Sequence, residues 1–192
     1  MKRLTDPLVI AGLWALTLAA LLALFELLAV LATRREGHAF LAGAIVAFGL
    51  VARGVSFPFL GTLTHELVHA FAACLLGGRV EELWATRNRG GYVVLTVSDR
   101  LVSLAPYVVP LLALASSVLA LVLRDPLHLV AVAAAGFAYA IYLDDTIAAL
   151  RVDQPDLRRF WSPLLACSAV VASNSLSLLL VLFLLQFGQR AV

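Results

Sequence analysis

Six apolar runs, separated by charged residues or prolines, occupy most of this 192-residue chain. A helix needs about 20 mainly apolar residues to cross a bilayer, because its backbone polar groups must be satisfied within the span. Hydrophobic residues make up 62% of the chain and charged residues 14%, against about 25% charged in soluble domains. The pattern predicts a mainly α, polytopic membrane helix bundle of five or six spans, expected to form one domain over residues 1–192. The runs are residues 8–33, 39–57, 58–76, 101–123, 127–150 and 162–187.

One stretch departs from this helical pattern. Residues 79–97 are rich in β-prone side chains, and Asn88-Arg89-Gly90-Gly91 is a turn signal in their middle. The stretch therefore predicts a short β-hairpin directly after the third run. Because an isolated hairpin is only marginally stable in water, we expect it to pack against the membrane domain or to dip into the membrane interface, where Trp84 and Tyr92 would be well placed.

The charge pattern excludes one class of partner. The 14 basic residues leave a net charge of only +2 and are scattered through the segments between runs. Proteins that bind nucleic acid gather basic residues into a patch or stripe. The hydrophobic composition makes the lipid bilayer the expected partner, and nucleic acid is not expected as one.

The third run contains His65-Glu66-Leu67-Val68-His69. Two imidazoles at positions i and i+4 lie on one helix face and can bind the same Zn²⁺ ion, and the intervening Glu is then placed to act as a general base. Ionisable groups are costly inside a bilayer, so one Glu and two His on one face need partners or a function. The pattern predicts a metal-dependent hydrolase with Glu66 as its catalytic base.

A catalytic zinc site takes three protein ligands and keeps one position open. The third ligand must therefore come from outside the motif, and several carboxylates and imidazoles qualify. The candidates are Glu26, His38, His128, Asp144, Asp145, Asp153 and Asp156.

The motif, its apolar setting and the β-prone stretch after it resemble the site-2-protease-like intramembrane metalloproteases, the M50 peptidases. In that family a distal aspartate, commonly within N-x-x-P-x-x-D-G or L-D-G, joins the two histidines on zinc, and the motif glutamate is the general base. Here Leu143-Asp144-Asp145 has Asp where Gly is usual, whereas Gln154-Pro155-Asp156-Leu157 has a Pro-Asp pair similar to that of small bacterial members. The resemblance favours Asp156 as the third ligand, with Asp144 and Asp145 as alternatives.

The resemblance implies a zinc-dependent intramembrane endopeptidase, a multi-pass protein of a bacterial cell membrane that cleaves membrane-embedded substrates. Strand addition at Tyr92, Val94 and Thr96 is a hypothesis for how an extended substrate binds. Two alternatives stay open. One is a non-proteolytic zinc-binding membrane scaffold or inactive relative. The other is a small transporter, which the absence of two halves with matching broken helices disfavours.

Overall fold

A computed structural model of the protein describes residues 5–86, 90–152, 154–159 and 162–187. Helices dominate this part of the chain, which confirms the mainly α prediction. Two 3₁₀ turns, Ala105–Tyr107 and Leu157–Arg159, complete the regular structure. The helices are α1 (Thr5–Leu31), α2 (Arg35–Ala52), α3 (Pro58–Leu75), α4 (Arg100–Leu104), α5 (Leu111–Val122), α6 (Leu127–Leu150) and α7 (Pro163–Phe187), and the strands are β1 (Val80–Ala85) and β2 (Gly91–Leu95).

Within the described residues, four helices are long and apolar enough to cross a membrane, namely α1, α2, α6 and α7. Residues 100–122, bent by 67° between α4 and α5, make a fifth if they count as one span. The helix predicted at residues 58–76 is present as α3, but it is not among these candidates. The reason is local, because His65, Glu66 and His69 lie in its middle and lower its apolarity.

The predicted hairpin is confirmed, since β1 and β2 pair antiparallel with Glu82 opposite Val94 and Ala85 opposite Gly91. It packs on α3 closely enough that a Cβ added at Gly91 would lie 2.6 Å from the Thr62 side chain. The turn residues Asn88 and Arg89 lie outside the described residues. The hairpin therefore covers the α3 face that bears the motif.

Small residues allow the backbones of α2 and α6 to come into contact. A Cβ added at Gly43 of α2 would lie 1.9 Å from the Ala133 carbonyl oxygen, and one added at Gly136 of α6 would lie 2.0 Å from the Phe40 carbonyl oxygen. Backbone atoms cannot move aside as a flexible side chain can. The two helices therefore depend on glycine at both positions, as is common in membrane helix pairs.

We expect Gly43→Ala to destabilise the protein by about 1–3 kcal/mol, the usual cost of overpacking a close contact. Gly49→Ala on the same helix is the matched control, because a Cβ there meets nothing within 4 Å. Thermal unfolding followed by circular dichroism in detergent measures both variants. Equal melting temperatures for the two variants would show that the α2–α6 contact can relax without loss.

Hydrogen bonds from side chains of α7 stabilise the bend between α4 and α5. Pro106 and Pro110 remove backbone donors from this segment, so some carbonyls lack helical partners. The Asn174 side chain donates to the Tyr107 carbonyl at 2.7 Å, and the Ser177 hydroxyl donates to the Val108 carbonyl at 2.6 Å. Side chains of α7 thus fix the segment that carries Tyr107 toward α3.

Candidate metal centre

Helix α3 turns its two histidines toward the same point. Their rings lie 4.8 Å apart between centroids and are nearly perpendicular. The His69 Nδ1–H donates to the Val102 carbonyl oxygen at 2.8 Å. A neutral His69 therefore carries its proton on Nδ1 and presents an unprotonated Nε2 to the opposite side of the ring.

Asp156 faces both imidazoles from the loop after α6. Its Oδ2 lies 3.3 Å from His69 Nε2 and 3.4 Å from His65 Nε2. Among the described residues, the group that can hold a metal contains these three side chains, with one ligand atom from each within 4.8 Å of the others. The structure therefore brings together the two motif histidines and the distal aspartate that the sequence favoured.

The distances from the Asp156 carboxylate to the two imidazoles fit a zinc ion. Two ligand atoms about 2.1 Å from a tetrahedral zinc lie about 3.4 Å apart, close to the two distances measured between Asp156 and the imidazoles. A carboxylate oxygen and an unprotonated Nε2 are both acceptors, so they can approach this closely only with a proton or a cation between them. Two imidazole nitrogens and one carboxylate oxygen are also a donor set that zinc prefers.

The two imidazoles lower the pKa of the Asp156 carboxyl group when they are protonated. Burial alone would raise that pKa, but the hydrogen bonds and positive charge of protonated His65 and His69 outweigh burial and hold it below its usual range. The Tyr107 hydroxyl adds a third contact, donating to Oδ2 at 3.4 Å. The Tyr107 ring also packs edge-on against His65, 5.3 Å between centroids.

Glu66 lies beside the three donors without being one of them. It is 8% exposed, and its carboxyl group interacts electrostatically with His65, His69 and Asp156. A Cβ added at Gly91 of β2 would lie 3.0 Å from the Glu66 Cγ. The hairpin therefore covers the Glu66 side chain next to the three donors.

The other candidate ligands lie elsewhere. Asp145 packs on α3 at Gly61, one helical turn before His65, where a Cβ would lie 2.9 Å from its Oδ2. His128 lies at the start of α6 and faces Glu36 of α2, with 3.7 Å between Nε2 and Oε1. Neither these residues nor Glu26, His38 and Asp144 join the described metal-binding group, and Asp153 lies outside the described residues.

A mostly apolar cavity of about 270 Å³ adjoins the centre between α3, the bent segment and α6. His65, Tyr107 and Asp145 are among the residues that line it. Sequence reasoning missed Tyr107 and Val102, which lie in the bent segment and contact the centre. The sequence signal for them was the pair of prolines, which predicts a break in the helix but not that this break contacts α3.

Comparison with known proteins bears on the motif region. A family model described as Peptidase M50B-like matches residues 39–144, which is more than half of the chain and includes His65–His69. The match ends before Asp156, so the family comparison does not reach the loop that supplies the third donor. No curated protein and no solved structure matches the chain.

Proposed function

Since the chain belongs to the Peptidase M50B-like family, we propose that it is a zinc-dependent intramembrane endopeptidase. The observation that carries the proposal is the convergence of His65, His69 and Asp156 beside a buried glutamate, within a bundle of apolar helices. The fit of these donors to zinc supports the metal, and the apolar helices support a membrane-embedded substrate. The cell membrane of a bacterium is the proposed setting, as the resemblance to small bacterial members implies.

In this proposal His65, His69 and Asp156 hold the ion, and Glu66 is the general base. Zinc in such a site acts as a Lewis acid that acidifies a water molecule and polarises a carbonyl group. The Glu66 carboxylate accepts a proton from the attacking water and passes it to the amide nitrogen as the C–N bond breaks. Only 8% of the Glu66 surface is exposed, which limits the bulk water that can compete for that proton.

The β2 edge is the proposed docking site for an extended substrate, which must leave its helical conformation to expose a peptide bond. The Thr86 N–H donates to the Gly90 carbonyl, so residues 86 and 90 form a hydrogen-bonded pair. Alternation along the ladder then points the backbone groups of Gly91, Val93 and Leu95 away from β1. These groups are available to a third strand beginning beside Glu66.

In this proposal the side chains of Tyr92, Val94 and Thr96 lie beside the docking edge, and their backbone groups do not form its hydrogen bonds. Tyr92, Val94 and Thr96 project from the exposed face of the hairpin, whereas Gly91, Val93 and Leu95 are half-buried. We propose that Tyr92, Val94 and Thr96 contact substrate side chains next to an added strand. The backbone of the alternating residues would provide the hydrogen bonds.

We expect Val93→Pro to reduce cleavage by at least tenfold, because proline removes an outward N–H from the free edge of β2. Val94→Pro is the comparison, since it removes a donor that faces β1 and should loosen the hairpin itself. Cleavage rates of a membrane-spanning substrate helix, measured beside circular dichroism spectra, separate the two effects. An unchanged rate for Val93→Pro would reject strand addition at this edge.

The test of the proposed function is metal-dependent cleavage in a purified system. The full chain in detergent or liposomes is mixed with a synthetic single-span substrate, and products are identified by mass spectrometry. Cleavage should stop when zinc is removed by a chelator and return when zinc is added. Stoichiometric zinc without cleavage of any tested substrate would instead support the non-proteolytic scaffold, and transport activity that persists without metal would support the transporter.

A further inference from the structure

The segment after the hairpin, Ser98–Val102, contacts both parts of the chain that bring donors to the centre. At one end the Val102 carbonyl oxygen accepts the His69 Nδ1–H at 2.8 Å. At the other end the Arg159 Nη1 donates to Ser98, at 2.6 Å to the hydroxyl and 3.2 Å to the carbonyl. We call this segment the connector.

Local sequence explains why the Val102 carbonyl is available. In a regular helix it would accept from the N–H four residues later, but that residue is Pro106, which has no N–H. The carbonyl takes only the tighter bond from Ala105 and keeps a lone pair for the histidine. Val102 is 1% exposed, so water does not compete for this position.

Asp99 fixes the direction of that carbonyl. Its Oδ1 accepts from the Val102 N–H at 2.9 Å, and its own carbonyl accepts from the Ser103 N–H at 3.0 Å. Asp99 is thus the N-cap of α4, a helix of only five residues. Because so short a helix has little stability of its own, its orientation depends on this cap.

Arg159 positions the Asp156 donor, as Asp99 positions the Val102 carbonyl that bonds to His69. Its backbone N–H donates to the Asp156 carbonyl at 3.4 Å, so the two residues share one tight turn. The guanidinium of Arg159 ties this turn to Ser98. The position of the Asp156 carboxylate relative to His69 is therefore set through the connector.

We propose that the connector determines metal affinity, with Asp99 and Arg159 as positioning residues. Asp99 orients His69 through the Val102 carbonyl, and Arg159 places Asp156 through Ser98. The proposal rests on the proposed metal centre but adds residues outside the donor set and outside the histidine motif. It follows that these contacts change the geometry and strength of metal binding even though neither side chain touches the ion.

The test compares Asp99→Ala with Asp99→Asn in the full-length purified protein. Asparagine also caps helices well, whereas alanine does not. Zinc affinity is measured by competition with a chromogenic chelator, and ligand geometry is measured by the visible absorption of the cobalt-loaded protein. We expect Asp99→Ala to bind zinc about tenfold more weakly, the lower end of the effect of outer-shell partners, with altered cobalt bands. Asp99→Asn should restore both readouts.

Arg159→Ala provides a second, independent variant, because its side chain is exposed and its removal leaves the helix cap intact. Arg151→Ala is its matched control, as it removes the same charge from another exposed position at the end of α6. We expect about tenfold weaker zinc binding for Arg159→Ala and no change for Arg151→Ala.

Wild-type zinc affinity and an unchanged cobalt spectrum in both Asp99→Ala and Arg159→Ala would overturn the positioning proposal. Absence of zinc binding in the wild type would overturn it together with the proposed function. A wild type that binds zinc but cleaves nothing would overturn only the proposed function. The connector is then still judged by affinity and spectrum alone.

Discussion

Replacing Glu66 with Gln is expected to lower the rate of peptide cleavage by about 10²–10⁴-fold, the usual contribution of a general base. Gln matches Glu in size, so it fits the space beneath Gly91, where residue 66 is 8% exposed. It cannot accept a proton. Since His65, His69 and Asp156 supply the donor atoms, the zinc content should stay at the wild-type value.

The measurement is kcat with a membrane-spanning substrate, beside the zinc content of the same preparation. Glu81→Gln is the matched control, because Glu81 is an exposed carboxylate in β1. That variant should cleave like the wild type. Full activity of Glu66→Gln would remove Glu66 from the mechanism, and loss of zinc along with activity would assign it to the metal site instead of to proton transfer.

The local part of the site was predictable from sequence. His65 and His69 share a face because the helical period fixes residues four apart, whatever packs around them. The hairpin was also predictable because its signal is local: β-prone side chains flank a turn signal within a few residues. Hydrophobicity also gave the bounds of α6 and α7 to within one residue, but α2 begins four residues before its predicted run and ends five residues before the end of that run. Helix α3 was counted as a span despite the polar groups that lower its apolarity.

The contacts between distant segments were not predictable from pattern. Asp144, Asp145 and Asp156 lie within a short stretch of sequence, and only the path of the chain in and after α6 decides which carboxylate reaches the two histidines. Tyr107 and Val102 have no motif at all. Their positions follow from a bend whose free carbonyls accept hydrogen bonds from a histidine of α3 and an asparagine of α7. The prolines predict the bend but not the residues that bond to it.

The identity of the third donor can be tested by comparing Asp145 of α6 with Asp156 of the loop after it. Asp145 is close to α3 and lines the cavity beside His65, so proximity alone does not distinguish it from Asp156. The difference is the direction of approach. Asp156 Oδ2 lies within 3.4 Å of both Nε2 atoms, while Asp145 approaches Gly61, a turn away from the point where the imidazoles meet.

We therefore expect Asp156→Ala to weaken zinc binding by more than about 100-fold, beyond the 10–100-fold that outer-shell changes cost, and to abolish cleavage. Asp145→Ala should bind zinc like the wild type. Zinc added at about 100 times the dissociation constant stabilises a protein by about 2.7 kcal/mol, so the melting temperature of the wild type and of Asp145→Ala should rise with zinc while that of Asp156→Ala should not. The reverse result, with zinc lost from Asp145→Ala and kept by Asp156→Ala, would mean that the loop after α6 moves away and that α6 itself supplies the third ligand.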